Sequence, residues 1–187
     1  MEVIQNFDFR ILDWIQANLR SEVLDVIMPI ITSLGNGGAI WIMITTILLI
    51  FNKTRNYGYM SVIALILCLL VGNLALKPFI ARTRPFDINK VIDIIINKPK
   101  DFSFPSGHTM SSFAVATVLF YMDRKIGIIA LILAILIGFS RLYLYVHFPS
   151  DVIVGMILGI LVGIIAILLF RVSFRSNWLN IVFYNIN

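Results

Sequence analysis

The stretch DVIVGMILGILVGIIAILLF, residues 151–170, carries a single charged side chain, at its first position, and is otherwise apolar. A helix needs about 20 apolar residues to cross the roughly 30 Å hydrocarbon core of a bilayer. This stretch therefore predicts a transmembrane helix. The rest of the chain agrees, since its 187 residues are 59% hydrophobic and 13% charged. Soluble domains average about 45–50% apolar and about 25% charged residues.

Five further apolar stretches precede this one, at roughly 22–34, 39–52, 57–76, 107–122 and 126–146. The third and fifth of them are long enough to span, whereas the others need their polar ends to reach that length. The turn signal GNGG divides the first two stretches. We therefore expect an all-α fold, a polytopic membrane bundle of six transmembrane helices that occupies residues 21–171 of one integral-membrane domain.

The segment 1–20 differs from these stretches because charged residues interrupt its apolar ones. Its apolar positions recur at helical spacing, which predicts an amphipathic helix lying in the membrane interface, or a helix that packs against the bundle. The acid at position 2 and the lack of a basic start argue against a cleavable signal peptide. Residues 172–187 are expected to form a C-terminal tail.

The net charge of +5 would suggest nucleic acid as a partner for a soluble protein. In a membrane protein it favours cytoplasmic anchoring and an anionic substrate, so membrane lipids are expected partners and nucleic acid is not. The single cysteine, Cys68, lies in an apolar run, which excludes an intrachain disulfide and indicates packing. The Lys and Arg of short connections favour a cytoplasmic amino terminus, once the cations of the polar clusters described next are set aside.

Three polar clusters interrupt the apolar pattern: KPFIARTRP at 77–85, FPSGH at 104–108 and SRLYLYVHFPSD at 140–151. The first follows the third expected span, the second precedes the fourth, and the last joins the fifth to the sixth. A six-span order therefore places all three clusters on one face of the membrane. With the amino terminus inside, that face is extracytoplasmic.

Each cluster has two interpretations when it is taken alone. Lys77, Arg84 and Arg141 either anchor span ends among lipid headgroups or bind a phosphate group. His147 and Asp151 are four residues apart, so a helix that begins near His147 places both on one face. There Asp151 would fix the imidazole tautomer and activate His147 as a nucleophile. The alternatives are that Asp151 caps the helix and that His147 is an interfacial polar residue.

FPSGH places polar groups at the start of the fourth span. Ser106 can cap that helix, Gly107 allows a ligand to approach the backbone, and the free N–H groups suit an anion. His108 would project from the first turn, or simply be solvated in an ordinary turn. Two histidines and Asp151 could in principle hold a metal ion, but the cations expected at the same face disfavour a bound cation. We therefore expect no metal and no cofactor.

Together the three clusters resemble the type 2 phosphatidic acid phosphatase family, which shares its site with vanadium haloperoxidases. The family pattern is Lys, six residues, Arg-Pro; then Pro-Ser-Gly-His; then Ser-Arg, five residues, His, three residues, Asp. Every defining position is present here in that order. The resemblance implies a metal-independent phosphatase in which His147 attacks phosphorus, Asp151 orients His147, and His108 protonates the leaving oxygen. It also implies that the phosphoryl oxygens are bound by Lys77, Arg84, Ser106, Gly107 and Arg141. Arg82 lies outside the pattern, as an auxiliary phosphate contact or a surface cation.

The resemblance further implies a lipid phosphate substrate. The small size of the chain and the segment LDWIQANL resemble short bacterial members that act on undecaprenyl diphosphate or on phosphatidylglycerol phosphate. We expect undecaprenyl diphosphate, because an outward-facing site suits the recycling of that carrier. Phosphatidic acid and transfer to an acceptor alcohol remain alternatives within the enzymes. A transporter or a lipid-binding scaffold is the alternative of another class. Ionisable residues inside a span would favour it, whereas here Asn73 is the one conspicuous polar residue deep in a span. No obligatory protein partner is implied.

Overall fold

The computed structural model of the protein describes the backbone of residues 2–184 and the side chains of residues 3–173. All regular structure in this part of the chain is helical, as expected. The helices are α1 (Glu2–Asn18), α2 (Glu22–Leu34), α3 (Ala39–Ile50), α4 (Arg55–Leu67), α5 (Lys77–Ile80), α6 (Pro85–Ile88), α7 (Gly107–Met122), α8 (Arg124–Tyr143) and α9 (Pro149–Tyr184). A 3₁₀ turn at Asn36–Gly38 joins α2 to α3, and a π-helical segment at Cys68–Leu76 joins α4 to α5. The segment 172–187, expected as a tail, is helical as far as Tyr184 and then leaves the described residues.

Three helical runs are long and apolar enough to cross a membrane. They are Arg55–Ile88 with 34 residues, Arg124–Tyr143 with 20, and Pro149–Ser173 with 25. The pair Glu22–Leu34 and Asn36–Ile50, bent by 44°, adds a fourth candidate if it forms one broken span. The described residues thus contain three or four candidate spans by length and composition. Helix α7 has only 16 residues, because Pro105 and Asp123 bound its apolar stretch. Six spans therefore remain a prediction.

Helix α7 lies at the centre of the fold, where it packs against α8, α9 and α4. Glycines of α9 let the two backbones approach each other closely. A Cβ built on Gly159 would lie 2.4 Å from the carbonyl oxygen of Met110, and one on Gly155 would lie 2.8 Å from that of Ser106. Small residues at such an interface permit close helix packing inside a membrane. This contact fixes the start of α7 against the start of α9.

Helix α3 is attached to α7 by a buried polar contact. The indole N–H of Trp41, a residue with no exposed surface, donates to the hydroxyl of Ser112 at 2.8 Å. That hydroxyl in turn donates to the carbonyl oxygen of His108 at 2.6 Å. The first turn of α7 is therefore held by α3 through this contact and by α9 through the glycine contact, which fixes where its side chains point.

Helix α1 has two different faces. Leu12 and Ile15 are buried in an apolar cluster with residues of the 143–148 segment. Phe7 and Trp14 are more than half exposed on the other face. The helix therefore packs against the bundle and also offers an apolar surface, so its position in the membrane interface remains a prediction.

Candidate active site

A cavity of about 840 Å³ lies between α2, the end of the π-helical segment, the 89–106 loop and the start of α7. Both histidines of the chain line it. Of the eight residues predicted for the site, six line this cavity: Lys77, Arg84, Gly107, His108, Arg141 and His147. The other two, Ser106 and Asp151, lie behind the wall and are completely buried. The three polar clusters of the sequence therefore meet at one place.

His147 lies in the short segment between α8 and α9 and is 1% exposed. Its Nε2 is 3.2 Å from Nη1 of Arg84. A guanidinium can only donate hydrogen bonds, so Nε2 carries the lone pair and the ring proton is on Nδ1. Burial, followed by the positive charges of Arg84, Arg141 and Lys77, lowers the pKa of His147 well below its ordinary value of 6.5. The ring is therefore neutral at neutral pH, with its nucleophilic nitrogen on the cavity side.

Asp151 supports the opposite edge of this ring from the first turn of α9. Its Oδ2 is 3.5 Å from Nδ1 of His147, and it accepts hydrogen bonds from the hydroxyl of Ser103 at 2.5 Å and from the N–H of Phe148 at 2.9 Å. The pair therefore meets at the start of α9, but not on one helical face, because α9 begins at Pro149 and His147 precedes it. The distance to His147 is longer than an ideal hydrogen bond, which is common in catalytic pairs without substrate.

His108 projects from the first turn of α7 into the same cavity. Its Nε2 is 3.0 Å from Oδ1 of Asn36, in the turn between α2 and α3. An amide oxygen can only accept, so this contact keeps a proton on Nε2. Gly35, next to Asn36, packs directly against the ring, since a Cβ there would lie 2.7 Å from Cδ2 of His108. The GNGG turn therefore positions the second histidine, a role that its sequence, interpreted only as a turn, did not suggest.

Lys77 and Arg84 contribute two cations to the cavity wall, and both are less than 10% exposed. Each is paired with Asp101 of the 89–106 loop: Lys77 through Oδ2, and Arg84 through Oδ1 at 2.7 Å. Burial raises the pKa of Asp101, but the hydrogen bond and charge of Lys77, with those of Arg84, outweigh it and lower that pKa to about 2. The Asp101 carboxylate thus forms ion pairs with two of the cations that were predicted to bind phosphate.

Arg141 contributes a third cation from the last turn of α8 and is 3% exposed. Its Nη1 donates to the hydroxyl of Thr32 on α2 at 2.6 Å. Among the residues that the structure describes, its Nε is a buried donor without a hydrogen-bond partner. An unsatisfied buried donor of this kind is unfavourable, by about 1–3 kcal/mol or more for a charged group. A bound anion would satisfy it.

The charges around the cavity do not balance. The wall contains Lys77, Arg84, Lys98 and Arg141 against the single carboxylate of Asp101. Buried charge without a counterion is unfavourable, so this excess of positive charge is the signature of an anion site. Gly107 keeps the space beside these cations open, since a Cβ there would lie only 3.1 Å from Oδ1 of Asn73 and 3.9 Å from Nζ of Lys77.

Ser106 does not reach the cavity wall. It is the N-cap of α7, where its hydroxyl accepts hydrogen bonds from the N–H and the hydroxyl of Thr109 at 3.5 Å and 2.9 Å. Its own N–H donates to the carbonyl oxygen of Asp151 at 3.2 Å. The structure therefore shows Ser106 joining α7 to α9, and its contact with a phosphoryl oxygen stays a prediction.

Several residues around the site were not expected from the sequence. Asp101 follows Lys98 and Lys100, and a lone acid among bases was the only available signal. Ser103 and Thr32 are common polar residues with no motif around them. Arg82, whose role the sequence left open, donates to Asp151 from Nη1 at 2.6 Å.

Comparison with known proteins agrees with this site. A model of the PAP2 superfamily matches residues 55–175. An undecaprenyl-diphosphatase of Sulfolobus acidocaldarius is 37% identical over 121 residues, which are 64% of this chain and 58% of that relative. The undecaprenyl-diphosphatase BcrC of Bacillus subtilis is 30% identical over 157 residues, or 82% of this chain and 77% of that relative. The chain thus matches little more than half the length of the Sulfolobus relative.

The fold is also similar to that of a solved membrane protein. The crystal structure of the first transmembrane PAP2 type phosphatidylglycerolphosphate phosphatase from Bacillus subtilis superposes with a TM-score of 0.74 at 27% identity. The superposition covers 89% of this chain and 85% of that one. The matched residues 55–175 include every defining position of the three polar clusters. This chain is a multi-pass membrane protein and belongs to the PAP2 superfamily.

Proposed function

We propose that this protein is a metal-independent phosphatase that hydrolyses a lipid phosphate or diphosphate at the membrane surface. The observation that carries the proposal is that His108 and His147 line one cavity together with Lys77, Arg84 and Arg141. Phosphoryl transfer depends mainly on positioning and on neutralising charge at the phosphoryl oxygens. Three nearly buried cations around a neutral, oriented imidazole supply both.

The geometry supports a two-step reaction. Nε2 of His147 attacks phosphorus, the bond from phosphorus to the leaving oxygen breaks, and His108, which enters this step as the imidazolium, gives that oxygen its Nδ1 proton while Nε2 keeps its bond to Asn36. Asp151 stabilises the positive charge that forms on the His147 ring. Water then attacks the phosphohistidine with His108 as general base, which releases inorganic phosphate and restores the imidazole. General acid catalysis of this kind typically contributes about 10²–10⁴ in rate.

A second cavity supports a lipid as the substrate. It has a volume of about 460 Å³ and shares Lys77, Gly107 and His108 with the first. From there it continues between α3 and α4, where its lining is apolar: Ile42, Leu65, Ile66 and Leu69. Three of these four side chains are about half exposed on the surface that a membrane would cover. An apolar opening beside an anion site suits a phosphate whose hydrocarbon chain stays in the bilayer.

Undecaprenyl diphosphate is the substrate that we favour, since two of the relatives described above are named for it. Phosphatidylglycerol phosphate is the second candidate, because the similar crystal structure is that of a phosphatase for this lipid. Phosphatidic acid is a third. Transfer of the phosphoryl group to an acceptor alcohol would use the same residues, and a transporter or lipid-binding scaffold would need no turnover.

The proposal includes an arrangement in the membrane. Residues 21–171 form six spans, residues 1–20 lie along the interface, and residues 172–187 are the tail. The amino terminus is cytoplasmic and the active site faces outward, as the distribution of basic residues indicates. Labelling of a cysteine placed within 89–100 in intact cells and in inverted vesicles tests this orientation, and labelling only in inverted vesicles would contradict it.

The function is tested on the purified protein in detergent with EDTA present. Phosphate release is measured with undecaprenyl diphosphate, phosphatidylglycerol phosphate and phosphatidic acid as substrates. We expect turnover with at least one of them and none in His147→Ala. Arg141→Ala should lose most of the activity, whereas the matched control Arg55→Ala, which removes an exposed guanidinium outside the cavity, should keep it. A folded wild-type protein that releases no phosphate from any substrate refutes hydrolysis, and a phosphorylated acceptor in place of free phosphate identifies a transferase.

A further inference from the structure

Asp8 is a buried carboxylate of the amino-terminal helix α1 that the reaction described above leaves without a role. Its side chain is 1% exposed, and both of its oxygens accept hydrogen bonds. Oδ1 accepts from the N–H of Ser150 at 2.9 Å, and Oδ2 accepts from the Ser150 hydroxyl at 2.5 Å and from Nη2 of Arg82 at 2.7 Å. A buried carboxylate is unfavourable unless it is paired. Arg82 and Ser150 provide that pairing for Asp8.

Arg82 connects Asp8 to the proposed catalytic pair. Its Nη1 donates to Oδ1 of Asp151 at 2.6 Å and to the Ser150 hydroxyl at 2.7 Å. Its guanidinium also lies 4.0 Å from the ring centre of Phe148. Phe148 is completely buried and packs edge-on against Phe9 of α1, with ring centres 5.2 Å apart. The guanidinium is therefore held on its face and at both ends, between two carboxylates.

Two carboxylates sharing one guanidinium have a consequence for His147. Asp8 takes part of the positive charge of Arg82, so Asp151 keeps more of its negative charge for the Nδ1 proton of His147. Without Asp8, Arg82 would be drawn entirely to Asp151 and its charge would oppose the positive charge that forms on His147 during attack. The cations of the phosphate site, Lys77, Arg84 and Arg141, make no hydrogen bond to Asp8.

We infer that Asp8 and Arg82 are positioning residues for the nucleophile, acting on His147 through Asp151. This inference rests on the proposed function. Asp8 lies before residues 55–175, the part of the chain that the superfamily model matches. The active site of this protein therefore depends on a helix outside that match.

The test compares Asp8→Asn with Asp13→Asn in the full chain. Asp13 also ties α1 to the bundle, since its Oδ1 accepts a hydrogen bond from the hydroxyl of Tyr145 at 2.9 Å, but it has no link to Asp151. We expect kcat to fall about 10-fold or more in Asp8→Asn, because small displacements of a reacting group have effects of up to about 10²-fold. KM should stay within about 3-fold, and Asp13→Asn should stay within about 3-fold in both constants.

An anchoring role of α1 and a positioning role of Asp8 predict different activities for these variants. If α1 only anchors the fold, Asp8→Asn and Asp13→Asn lose activity together or not at all, and either result overturns the inference. Arg82→Lys is the second variant, because one ammonium group keeps the charge but cannot bridge two carboxylates. Wild-type kcat in folded Arg82→Lys, or failure of both Asp8→Asn and Arg82→Lys to fold, also overturns it. Absence of turnover in the wild-type protein refutes the proposed function instead.

Discussion

Asp101 pairs with two cations of the proposed phosphate site, and replacing it with Asn should strengthen phosphate binding. In the free protein its carboxylate binds Lys77 and Arg84, the same cations that a phosphoryl group needs. The substrate therefore has to displace a built-in anion. Asn keeps the shape of the side chain and removes its charge.

The size of the effect follows from the pKa of Asp101, which falls from 3.8 to about 2 in the folded protein. At 1.36 kcal/mol for each unit, this difference corresponds to about 2.5 kcal/mol of net stabilisation of the carboxylate, which is the attraction of the cations less the cost of burial. The Asp101 side chain is 54% exposed, so solvent screening reduces that figure to about 1 kcal/mol. Inorganic phosphate should then inhibit Asp101→Asn at a concentration about 5-fold lower than the wild type.

The assay is inhibition of turnover by inorganic phosphate at constant ionic strength, at pH 6 and pH 8. Because the Asp101 carboxyl is ionised at both values, the gain should be the same at each. Asp93→Asn is the matched control, since Asp93 is an exposed acid of the same loop and its replacement changes the net charge equally. Phosphate inhibition that is unchanged or weaker in Asp101→Asn would refute this reasoning and show that the carboxylate holds the cations in place for the substrate.

Three other predictions follow from the packing and burial of the site. Gly35→Ala should lower kcat about 10-fold or more, because the added methyl group displaces the His108 ring, and general acid catalysis typically contributes about 10²–10⁴ in rate. The melting temperature should change little. Steady-state kinetics and thermal unfolding measure the two effects. Gly159→Ala should destabilise the fold by about 1–3 kcal/mol, because its Cβ would overlap the carbonyl oxygen of Met110; thermal unfolding in detergent measures it. His147 becomes protonated below pH 6.5 in the unfolded chain but not in the folded protein. The free energy of unfolding should therefore fall by about 1.4 kcal/mol for each pH unit below 6.5. His147→Asn should remove that part of the decline between pH 6.5 and 5.

Each of these predictions has an outcome that contradicts it. Wild-type kcat in Gly35→Ala would mean that the ring of His108 has room to move without losing function. An unchanged melting temperature in Gly159→Ala would show that α7 and α9 are not in close contact. A pH dependence of stability that is the same in His147→Asn and the wild type would show that the imidazole is accessible to protons in the folded state.

The sequence was sufficient to predict the motifs that contain the candidate site residues. Lys77, Arg84, His108, Arg141 and His147 were predicted individually, and all of them line one cavity. All of them lie at or near helix ends, which are local properties of the chain. The apolar stretches likewise predicted where the main helices lie, except that α9 continues to Tyr184, through most of the segment expected as a tail.

Contacts between distant segments were not accessible in the same way. Asn36 reaches His108 across 72 positions and Asp8 reaches Arg82 across 74, and neither residue type is unusual where it occurs. The number of spans also depends on more than apolar length, because α7 is surrounded by other helices and needs no lipid-facing length. The cap that Ser106 forms on α7 was expected and is confirmed, whereas its contact with phosphate came from the motif alone and stays a prediction.

The close approach of α7 to α9 has a consequence for how the enzyme comes into being. Asp151 arrives with α9, which is synthesised after α1 to α8, and its backbone carbonyl accepts a hydrogen bond from the N–H of Ser106, just before α7. A nascent chain that has inserted everything up to residue 146 already carries the cations and one imidazole, but neither His147 nor Asp151. Under the proposed mechanism the site is therefore complete only when the glycine-bearing side of α9 packs against α7, and a chain inserted without α9 should have no phosphatase activity.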